Sequence, residues 1–270
     1  MRKRILITGG KGYIGKHLVQ ALQKKDYDIL LYTEDIRKPV SEKWKADIII
    51  HLAAKAKGDD QEIEETNVLG TKNILEACRQ WKTKCIVTSS CGVYGNPAEN
   101  PVNEEASVNP FNTYNRSKAE AEELCKNYEQ QYSLKIIILR LFNIYGDNNP
   151  NEFLIRTLST YDGKQPIKLN PNIIRDFIHV KDVIQAFLRA VEYEGPADIF
   201  NIGSGKGHTA DQVIKIIRKI TGRTIKYEMN KDPIVIKEII ADITKAKEKL
   251  KWSPKIGLEE GLKEIMGKKN

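Results

Sequence analysis

Near its amino end the chain reads Arg4-Ile-Leu-Ile-Thr-Gly-Gly-Lys-Gly-Tyr-Ile-Gly15. Residues 4–8 contain a short apolar run with the length of a buried strand. Residues 14–22 carry apolar side chains at helical spacing. The pattern predicts a strand, a tight turn and a helix in succession. In that context the G-x-x-G-x-x-G spacing of Gly9, Gly12 and Gly15 is typical of a dinucleotide-binding turn, because the backbone can approach a pyrophosphate closely and the helix offers it free N–H groups.

The same alternation of short apolar runs and helical patterns continues through the first half of the chain. Further apolar runs lie at residues 27–32, 47–51, 85–88 and 136–139, and helical patterns lie at about 61–81 and 114–132. Such alternation predicts βαβ units and a parallel sheet. The expected fold class is therefore α/β, a Rossmann-type doubly wound parallel sheet with a small C-terminal substrate-binding lobe.

After Asn143 the segments become shorter and turn signals more frequent. Residues 1–142 together with about 175–203 are predicted to form the dinucleotide-binding domain. Residues 143–174 together with 204–270 are predicted to form the substrate-binding lobe, with the active site in the cleft between the two.

Composition excludes several classes of protein. The 270 residues are 40% hydrophobic and 30% charged, and no apolar run approaches the roughly 18 residues of a membrane span. The run after the basic amino end is shorter than a secretory signal requires, so a cytoplasmic protein is expected. The net charge of +8 is spread along the chain, which argues against nucleic-acid binding and fits an anionic substrate. The four cysteines show no CxxC spacing, so neither a disulfide framework nor a metal site is expected.

The segment Tyr114-Asn-Arg-Ser-Lys118 places a phenol and an ammonium group four residues apart. At i and i+4 they share one face of a helix, where a lysine charge favours the phenolate form of a tyrosine. Such a tyrosine can accept a proton from a carbinol while a dinucleotide takes up hydride. Ser90 follows the fourth predicted strand, at the carboxyl edge where such sheets bind ligands, and its hydroxyl can hold the substrate oxygen.

The end of the second predicted strand leaves the choice of dinucleotide open. Thr33 stands where an acid that binds the ribose of NAD is expected, and Glu34 and Asp35 follow at once. Arg37, two residues later, is a candidate ligand for the 2′-phosphate of NADP. The acids favour NAD, and NADP remains the alternative.

These motifs resemble those of the extended short-chain dehydrogenases, and more narrowly the NAD-dependent nucleotide-sugar epimerase/dehydratase family. The likeness covers nearly the whole chain in order. It is carried by residues 8–15, His51-Leu-Ala-Ala54, Asn67-Val-Leu-Gly-Thr71, Ser89-Ser90 with Val93-Tyr-Gly95, Tyr114-x-x-x-Lys118, Leu139-Arg-Leu-Phe-Asn-Ile-Tyr-Gly146, Arg175-Asp-Phe-Ile-His-Val-Lys-Asp182, Phe200-Asn-Ile-Gly203 and residues 241–254.

The resemblance implies a role for each matching position. The catalytic trio would be Ser90, Tyr114 and Lys118. The cofactor would be held by the turn residues Gly9, Gly12, Tyr13, Ile14 and Gly15, by Leu52, Ala53 and Ala54, by Tyr114 and Lys118, and at its adenosine end by Thr33, Asp35 and Ile36. The nucleotide diphosphate of the sugar would be held by Asn143, Arg175 and Lys231. An ion pair with Asp176 or another acid is the alternative for Arg175.

Two departures from the family pattern affect specificity. The segment between the second and third predicted strands is too short for the usual strand–helix excursion. The positions after Ser90 are Cys91 and Gly92, where dehydratases of the family carry Asp and Glu, so loss of water from the sugar lacks its general acid. Cys91 is interpreted as a small buried apolar residue.

The expected function is NAD-dependent epimerisation of a nucleotide-activated sugar at C4, through a 4-keto intermediate, by a homodimer built through the two long helical patterns. One alternative is an NADPH-dependent reductase of a nucleotide-linked 4-keto-6-deoxy sugar. The other is a non-enzymatic, dinucleotide-sensing or RNA-associated member of the superfamily.

Overall fold

Six parallel strands form the central sheet. The computed structural model describes residues 2–147, 149–150, 152–230 and 236–267. The strands of this sheet are β1 (Lys3–Thr8), β2 (Tyr27–Leu31), β3 (Ile48–His51), β4 (Lys84–Ser90), β5 (Ile136–Leu141) and β9 (Asp198–Ile202). Their order is β2-β1-β3-β4-β5-β9. Since β1 lies between β2 and β3, the strand order reverses direction at β1, and the carboxyl ends of β1 and β3 flank a ligand-binding crevice.

Helices cover both faces of this sheet. One face packs against α1 (Tyr13–Leu22) and α6 (Val180–Glu192), and the other against α3 (Gly70–Trp81) and α4 (Thr113–Tyr132), while the short α2 (Asp60–Glu64) contacts α4. Alternate residues of β1 enter different layers: Ile5 joins the core under α1, whereas Leu6 joins the core under α3. Burial of both faces explains why the strands read as continuous apolar runs, and the predicted doubly wound fold is confirmed.

Two connections differ from regular geometry. Only a 3₁₀ turn at Glu42–Trp44 stands between β2 and β3, which leaves β2 at the edge of the sheet and agrees with the predicted loss of a strand–helix excursion. The helix predicted over residues 61–81 is interrupted by a π-helical turn at Glu65–Leu69, which joins α2 to α3.

The second lobe contains shorter elements. One sheet contains β6 (Asn143–Tyr145), β8 (Ile174–His179), β10 (Gly207–Thr209) and β12 (Glu238–Ile239), and a second pairs β7 (Ile167–Leu169) with β11 (Tyr227–Met229). The helices that follow β6 outside α6 are α5 (Phe153–Ser159), α7 (Ala210–Thr221), α8 (Thr244–Lys249) and α9 (Leu258–Gly267). Residues 175–179, assigned from the sequence to the dinucleotide-binding domain, lie in β8 and thus in the smaller sheet. The division into two lobes stays a prediction.

None of the helices in the described part of the chain is both long and apolar enough to cross a membrane.

Candidate active site

A cleft of about 670 Å³ runs from the carboxyl edge of the central sheet to the second lobe. Most of the predicted site residues line it. They are Gly9, Gly12, Tyr13, Ile14, Gly15, Leu52, Ala54, Ser90, Tyr114, Lys118, Asn143 and Arg175. Lys231, the remaining candidate for the sugar nucleotide, lies outside the described residues.

The glycine-rich turn leaves no room for a side chain at Gly9, which packs against the segment after β3, or at Gly15, which packs against the turn itself. Gly9 has a φ of +68°, and a Cβ there would stand 2.7 Å from the backbone nitrogen of Ala53. A Cβ at Gly15 would collide with the backbone oxygen of Gly9. No side chain of the described residues caps the first turn of α1, so its N–H groups are left to face an anion in the cleft.

Two buried hydroxyls in the cleft fit a bound ligand as well. The Oη of Tyr13 and the Oγ of Ser89 are inaccessible to solvent and have no hydrogen-bond partner among the described residues, although both residues line the cleft. Buried hydroxyl groups are nearly always paired. With the uncapped helix and the close-packed glycines of the turn, these groups suit a dinucleotide whose pyrophosphate sits at α1.

Ser90 stands at the end of β4 and caps the 3₁₀ turn Cys91–Tyr94. Its Oγ accepts a hydrogen bond of 3.1 Å from the Gly92 N–H. Since the oxygen acts as acceptor toward the backbone, its own hydrogen is left to donate into the cleft. Ser90 can therefore polarise a substrate oxygen.

Tyr114 and Lys118 occupy successive turns at the start of α4, which Asn112 caps by accepting from the Asn115 N–H at 2.8 Å. Lys118 is only 4% exposed, and its Nζ donates to the backbone oxygen of Thr88 at 2.9 Å. Burial of the ammonium group lowers the pKa of Lys118 to about 8.

The pKa of Tyr114 moves in the opposite direction from the one predicted. Burial of the phenol, with a smaller effect of Cys91, raises the pKa of Tyr114 to about 12. The sequence predicted that Lys118 would lower it, but withdrawal of the phenolate from water dominates. Tyr114 therefore needs a further positive charge in the cleft before it can act as a base near neutral pH.

A buried hydrogen-bond chain fixes the end of β3 beside the glycine turn. Thr71 Oγ1 donates to the Asn67 backbone oxygen at 2.6 Å, so it accepts from His51 Nε2 at 3.1 Å. His51 Nδ1 must then accept from Thr8 Oγ1 at 2.7 Å, and Thr8 Oγ1 in turn accepts from the Ala53 N–H at 3.1 Å. His51 is thus a neutral structural residue, and burial with the nearby Lys118 charge lowers its pKa to about 3.

Asn67 also links the segment after β3, at Lys55, to α4, a role that the sequence did not reveal. Its side chain pairs with both backbone groups of Lys55 at 2.8 and 2.9 Å and donates to Ser117 Oγ at 2.8 Å. Ser117 in turn donates to the backbone oxygen of Tyr114 at 2.8 Å. The motif that contains Asn67 was recognisable, but only the fold shows that it supports the helix of Tyr114.

Arg175 presents a positive charge without a paired acid. Its guanidinium donates to the backbone oxygens of Ile174 and Ile236 at 2.9 Å, and no carboxylate of the described residues forms an ion pair with it. Asp176 instead accepts from the Ser204, Gly205 and Ala241 N–H groups. The alternative of an Arg175–Asp176 ion pair is therefore wrong.

Asn143 lies next to this charge, where its Nδ2 donates to the Asp176 backbone oxygen at 3.1 Å. An uncompensated guanidinium in a cleft suits a phosphate group.

The predicted adenosine-end residues lie beyond the lining of the cleft. Thr33 is exposed after β2, and Ile36 is buried against Gly70 of α3. Arg37 Nη2 donates to Asp35 Oδ2 at 2.7 Å, and this hydrogen-bonded ion pair lowers the pKa of Asp35 to about 2. Ala53 does not line the cleft either, and its N–H donates to Thr8 Oγ1.

Sequence reasoning missed the polar residues at the second-lobe end of the cleft. These are Asn149, Glu152, Lys168, Asn170 and Asn230. They lie in short, turn-rich segments, where no periodic pattern marks them. Cys91, by contrast, lies in the core as interpreted, and burial raises the pKa of its thiol to about 12.

A cleft with an anion cradle at one end and a buried tyrosine–lysine pair beside it is suited to dinucleotide-dependent oxidation and reduction at a carbinol carbon. The sequence model of the NAD dependent epimerase/dehydratase family matches residues 5–203. The chain belongs to this family, and the predictions of an enzyme and of NAD as its cofactor are confirmed.

Individual relatives match along almost the whole chain. A protein of Methanocaldococcus jannaschii is 33% identical over a gapped alignment that covers 97% of both chains, and it carries the provisional name UDP-glucose 4-epimerase. The UDP-glucose 4-epimerase of Thermotoga maritima, solved with UDP-glucose, is 30% identical with a TM-score of 0.86 over 98% of this chain and 99% of that one. The UDP-glucuronic acid 4-epimerase of Bacillus cereus, in complex with UDP-glucuronic acid and NAD, is 27% identical with a TM-score of 0.89 over 99% and 100%.

Proposed function

We propose that this enzyme interconverts the C4 epimers of a UDP-activated hexose. The observation that carries the proposal is the placement of Ser90, Tyr114 and Arg175 along one cleft. A hydroxyl donor and a phenol lie beside the dinucleotide cradle, and toward the second lobe lies a guanidinium that forms no ion pair with a carboxylate of the described residues. The uridine nucleotide is proposed because the relatives named above carry UDP-sugar names or ligands.

In the proposed reaction Tyr114 Oη accepts the proton of the C4 hydroxyl while Ser90 donates a hydrogen bond to the same oxygen. Bound NAD would supply the acceptor, and later the donor, of the hydride from C4, and its oxidised ring would supply the positive charge that favours the Tyr114 phenolate. The carbon becomes a ketone, the sugar presents its other face, and Tyr114 gives its proton back to the oxygen. No net oxidation occurs, so the cofactor stays bound.

The phosphates of the sugar nucleotide are proposed to bind Arg175 and Asn143. Retention by the nucleotide matters for epimerisation because the 4-keto sugar must rotate without leaving the enzyme. A charged anchor at the second-lobe end of the cleft allows the sugar to move while the diphosphate stays in place.

The residues after Ser90 favour epimerisation over loss of water. Cys91 is buried in the core, and its thiol has a pKa raised to about 12. Gly92 carries no side chain. Neither position can supply the general acid and base that a 4,6-dehydratase requires.

Arg37 argues against the NADPH-dependent reductase. Its guanidinium pairs with Asp35 at 2.7 Å and lies 3.6 Å from Glu65, so it is already engaged by two carboxylates. A 2′-phosphate would have to compete with both for the same group.

UDP-glucose carrying deuterium at C4 tests the proposal when it is given to the purified enzyme without added cofactor. UDP-galactose that retains the deuterium is expected, because the same hydrogen is removed and returned. Consumption of added NADPH, with a reduced sugar as product, would establish the reductase instead. Release of carbon dioxide from UDP-glucuronate would indicate a decarboxylase and overturn the epimerase.

We also propose that the enzyme is a homodimer built through the α2–α3 segment and α4, as the sequence predicts. Light scattering during gel filtration tests this: a mass of one chain would contradict it.

A further inference from the structure

We propose that Arg140 is a positioning residue for the reaction. Through Glu122 it holds the active-site helix α4, and through Tyr94 it holds the turn that follows Ser90. This inference rests on the proposed function only for its activity measurements.

Arg140 is a charged side chain inside an apolar strand. It lies in β5 between Leu139 and Leu141 and is 1% exposed. Its register partner on β4 is Ser89, directly before the serine that enters the cleft. A guanidinium buried at this depth must be paired, and two of its side-chain partners, Glu122 and Tyr94, belong to elements that carry proposed active-site residues.

The first partner is Glu122 on α4, which is 2% exposed. Arg140 Nε contacts both carboxylate oxygens at 3.0 and 3.2 Å, and Nη2 donates to Oε2 at 2.7 Å. Glu122 follows Lys118 by four residues, as Lys118 follows Tyr114. The bidentate contact between Arg140 and Glu122 therefore fixes the rotation of α4 about its axis and its position along that axis. The first turns of this helix carry the proposed catalytic pair.

The second partner is Tyr94, in the 3₁₀ turn that Ser90 caps. Arg140 Nη1 donates to Tyr94 Oη at 2.8 Å, and Tyr94 Oη donates to Asn201 Oδ1 at 2.7 Å. The guanidinium also stacks on the tyrosine ring, 4.7 Å from its centroid. Nη1 further donates to the Glu104 backbone oxygen at 3.0 Å. One side chain thus joins α4 to the turn after β4.

The Arg140–Glu122 pair also affects the ionisation of Lys118, through the charge of Glu122. Burial lowers the pKa of Lys118, and the neighbouring Cys125 and the negative charge of Glu122, both on α4, offset part of that lowering. Loss of the Glu122 charge should therefore move the ionisation of Lys118 to lower pH. A merely structural ion pair would change stability without that shift.

The test compares Arg140→Lys and Glu122→Gln with the wild-type enzyme. Arg140→Lys keeps the charge but loses the fork, and kcat should fall by roughly 10- to 100-fold through misplacement of α4. KM for UDP-glucose and NAD content should stay near the wild-type values. Glu122→Gln keeps the shape, and the alkaline limb of its pH–kcat profile should move to lower pH.

Arg79→Lys is the matched control. Arg79 forms the same kind of fork with Glu76 on the surface of α3, and both side chains are 39% exposed. Its kcat and pH profile should be unchanged.

Arg140→Ala adds a rescue experiment. Arg140 lines a second cavity of about 510 Å³, whose wall includes the exposed Lys126. Added guanidinium can therefore reach the vacated position, and it should restore part of kcat in Arg140→Ala and none in Lys118→Met. Unchanged kcat and pH profiles in folded Arg140→Lys and Glu122→Gln would overturn the positioning role.

An activity-independent measurement separates this inference from the proposed function. NMR of ¹³C-labelled lysine side chains, with the Lys118 signal assigned by its loss in Lys118→Met, gives the pKa of Lys118 in wild type and Glu122→Gln. A lower pKa in the variant supports the inference even if UDP-glucose is not the substrate. An unchanged pKa overturns the electrostatic part, and an inactive wild type overturns only the epimerase.

Discussion

The ammonium group of Lys118 lies 2.9 Å from the backbone oxygen of Thr88, and it thereby joins the start of α4 to the end of β4. Thr88 stands two residues before Ser90, so this contact sets the distance between the helix and the strand that carry the proposed catalytic groups. The contact buries a cation, and that burial lowers the pKa of Lys118 to about 8.

The first prediction concerns the pH dependence of kcat/KM. The ammonium form of Lys118 predominates below its pKa and is lost above it. If its charge supports proton transfer to Tyr114, activity should fall above about pH 8. A pH–rate profile between pH 6 and 10 measures this limb as an apparent pKa of the coupled Tyr114–Lys118 pair.

Lys118→Arg serves as the companion variant. An arginine keeps its charge throughout that range, so whatever activity remains should show no alkaline limb near pH 8. A wild-type profile that stays flat up to pH 10 would contradict the assigned role of the Lys118 charge.

The second prediction concerns the Tyr114 hydroxyl. Tyr114→Phe should lower kcat by about 100-fold or more, since it removes the proposed proton acceptor, while the amount of bound NAD stays near one per chain. Tyr128→Phe makes the same chemical change near the far end of α4, where the hydroxyl bonds only to Glu76 at 3.4 Å, and it should leave kcat unaltered. Equal activity of the two variants would remove Tyr114 from the mechanism.

The third prediction concerns the charge of Arg175 in the cleft. Arg175→Gln should raise KM for a UDP-sugar by roughly 10- to 100-fold, as expected for a lost charge-assisted hydrogen bond, with NAD binding retained. Arg156→Gln, an exposed cation on α5, is the control and should leave KM in place. If raised salt weakened both variants and the wild type equally, the cleft charge would not be the phosphate ligand.

The fold was predictable because burial leaves a readable pattern. Strands β1, β3, β4 and β5 are buried on both faces, so each is a run of apolar residues that a single sequence exposes. Strands β6, β7 and β10 contain three residues each and β12 contains two, too few to show any period. Their pairing depends on contacts across the lobe, which no local pattern records.

The site was predictable only where residues are close in sequence or belong to a motif. Tyr114 and Lys118 share a helix face, and the glycine turn is contiguous. The partner of Arg140 was not predictable, although a charge inside an apolar strand signals that one exists. Asn67 illustrates the same limit, because its side chain bonds to Lys55 and Ser117, 12 and 50 residues away.

The fourth prediction concerns acid stability. Burial holds the folded-state pKa of His51 at about 3, whereas an unfolded histidine titrates near 6.5. Below about pH 6.5 His51 binds a proton in the unfolded chain but stays neutral in the folded chain. The free energy of unfolding should therefore fall progressively as the pH drops from 6.5 toward 3. The full effect is about 5 kcal/mol at 1.36 kcal/mol per pKa unit.

Urea unfolding at a series of pH values, compared between wild type and His51→Gln, isolates this contribution because other titrating groups cancel in the difference. The variant should be less stable near pH 7 and yet lose less stability on acidification. Thr71→Val is the control: it removes one hydrogen-bond partner of His51 but keeps the imidazole, so its stability should be lower at every pH with the acid slope retained. If His51→Gln kept the full wild-type acid slope, His51 would already be free to protonate in the folded protein, and the neutral hydrogen-bond chain from Thr8 to Thr71 would be wrong.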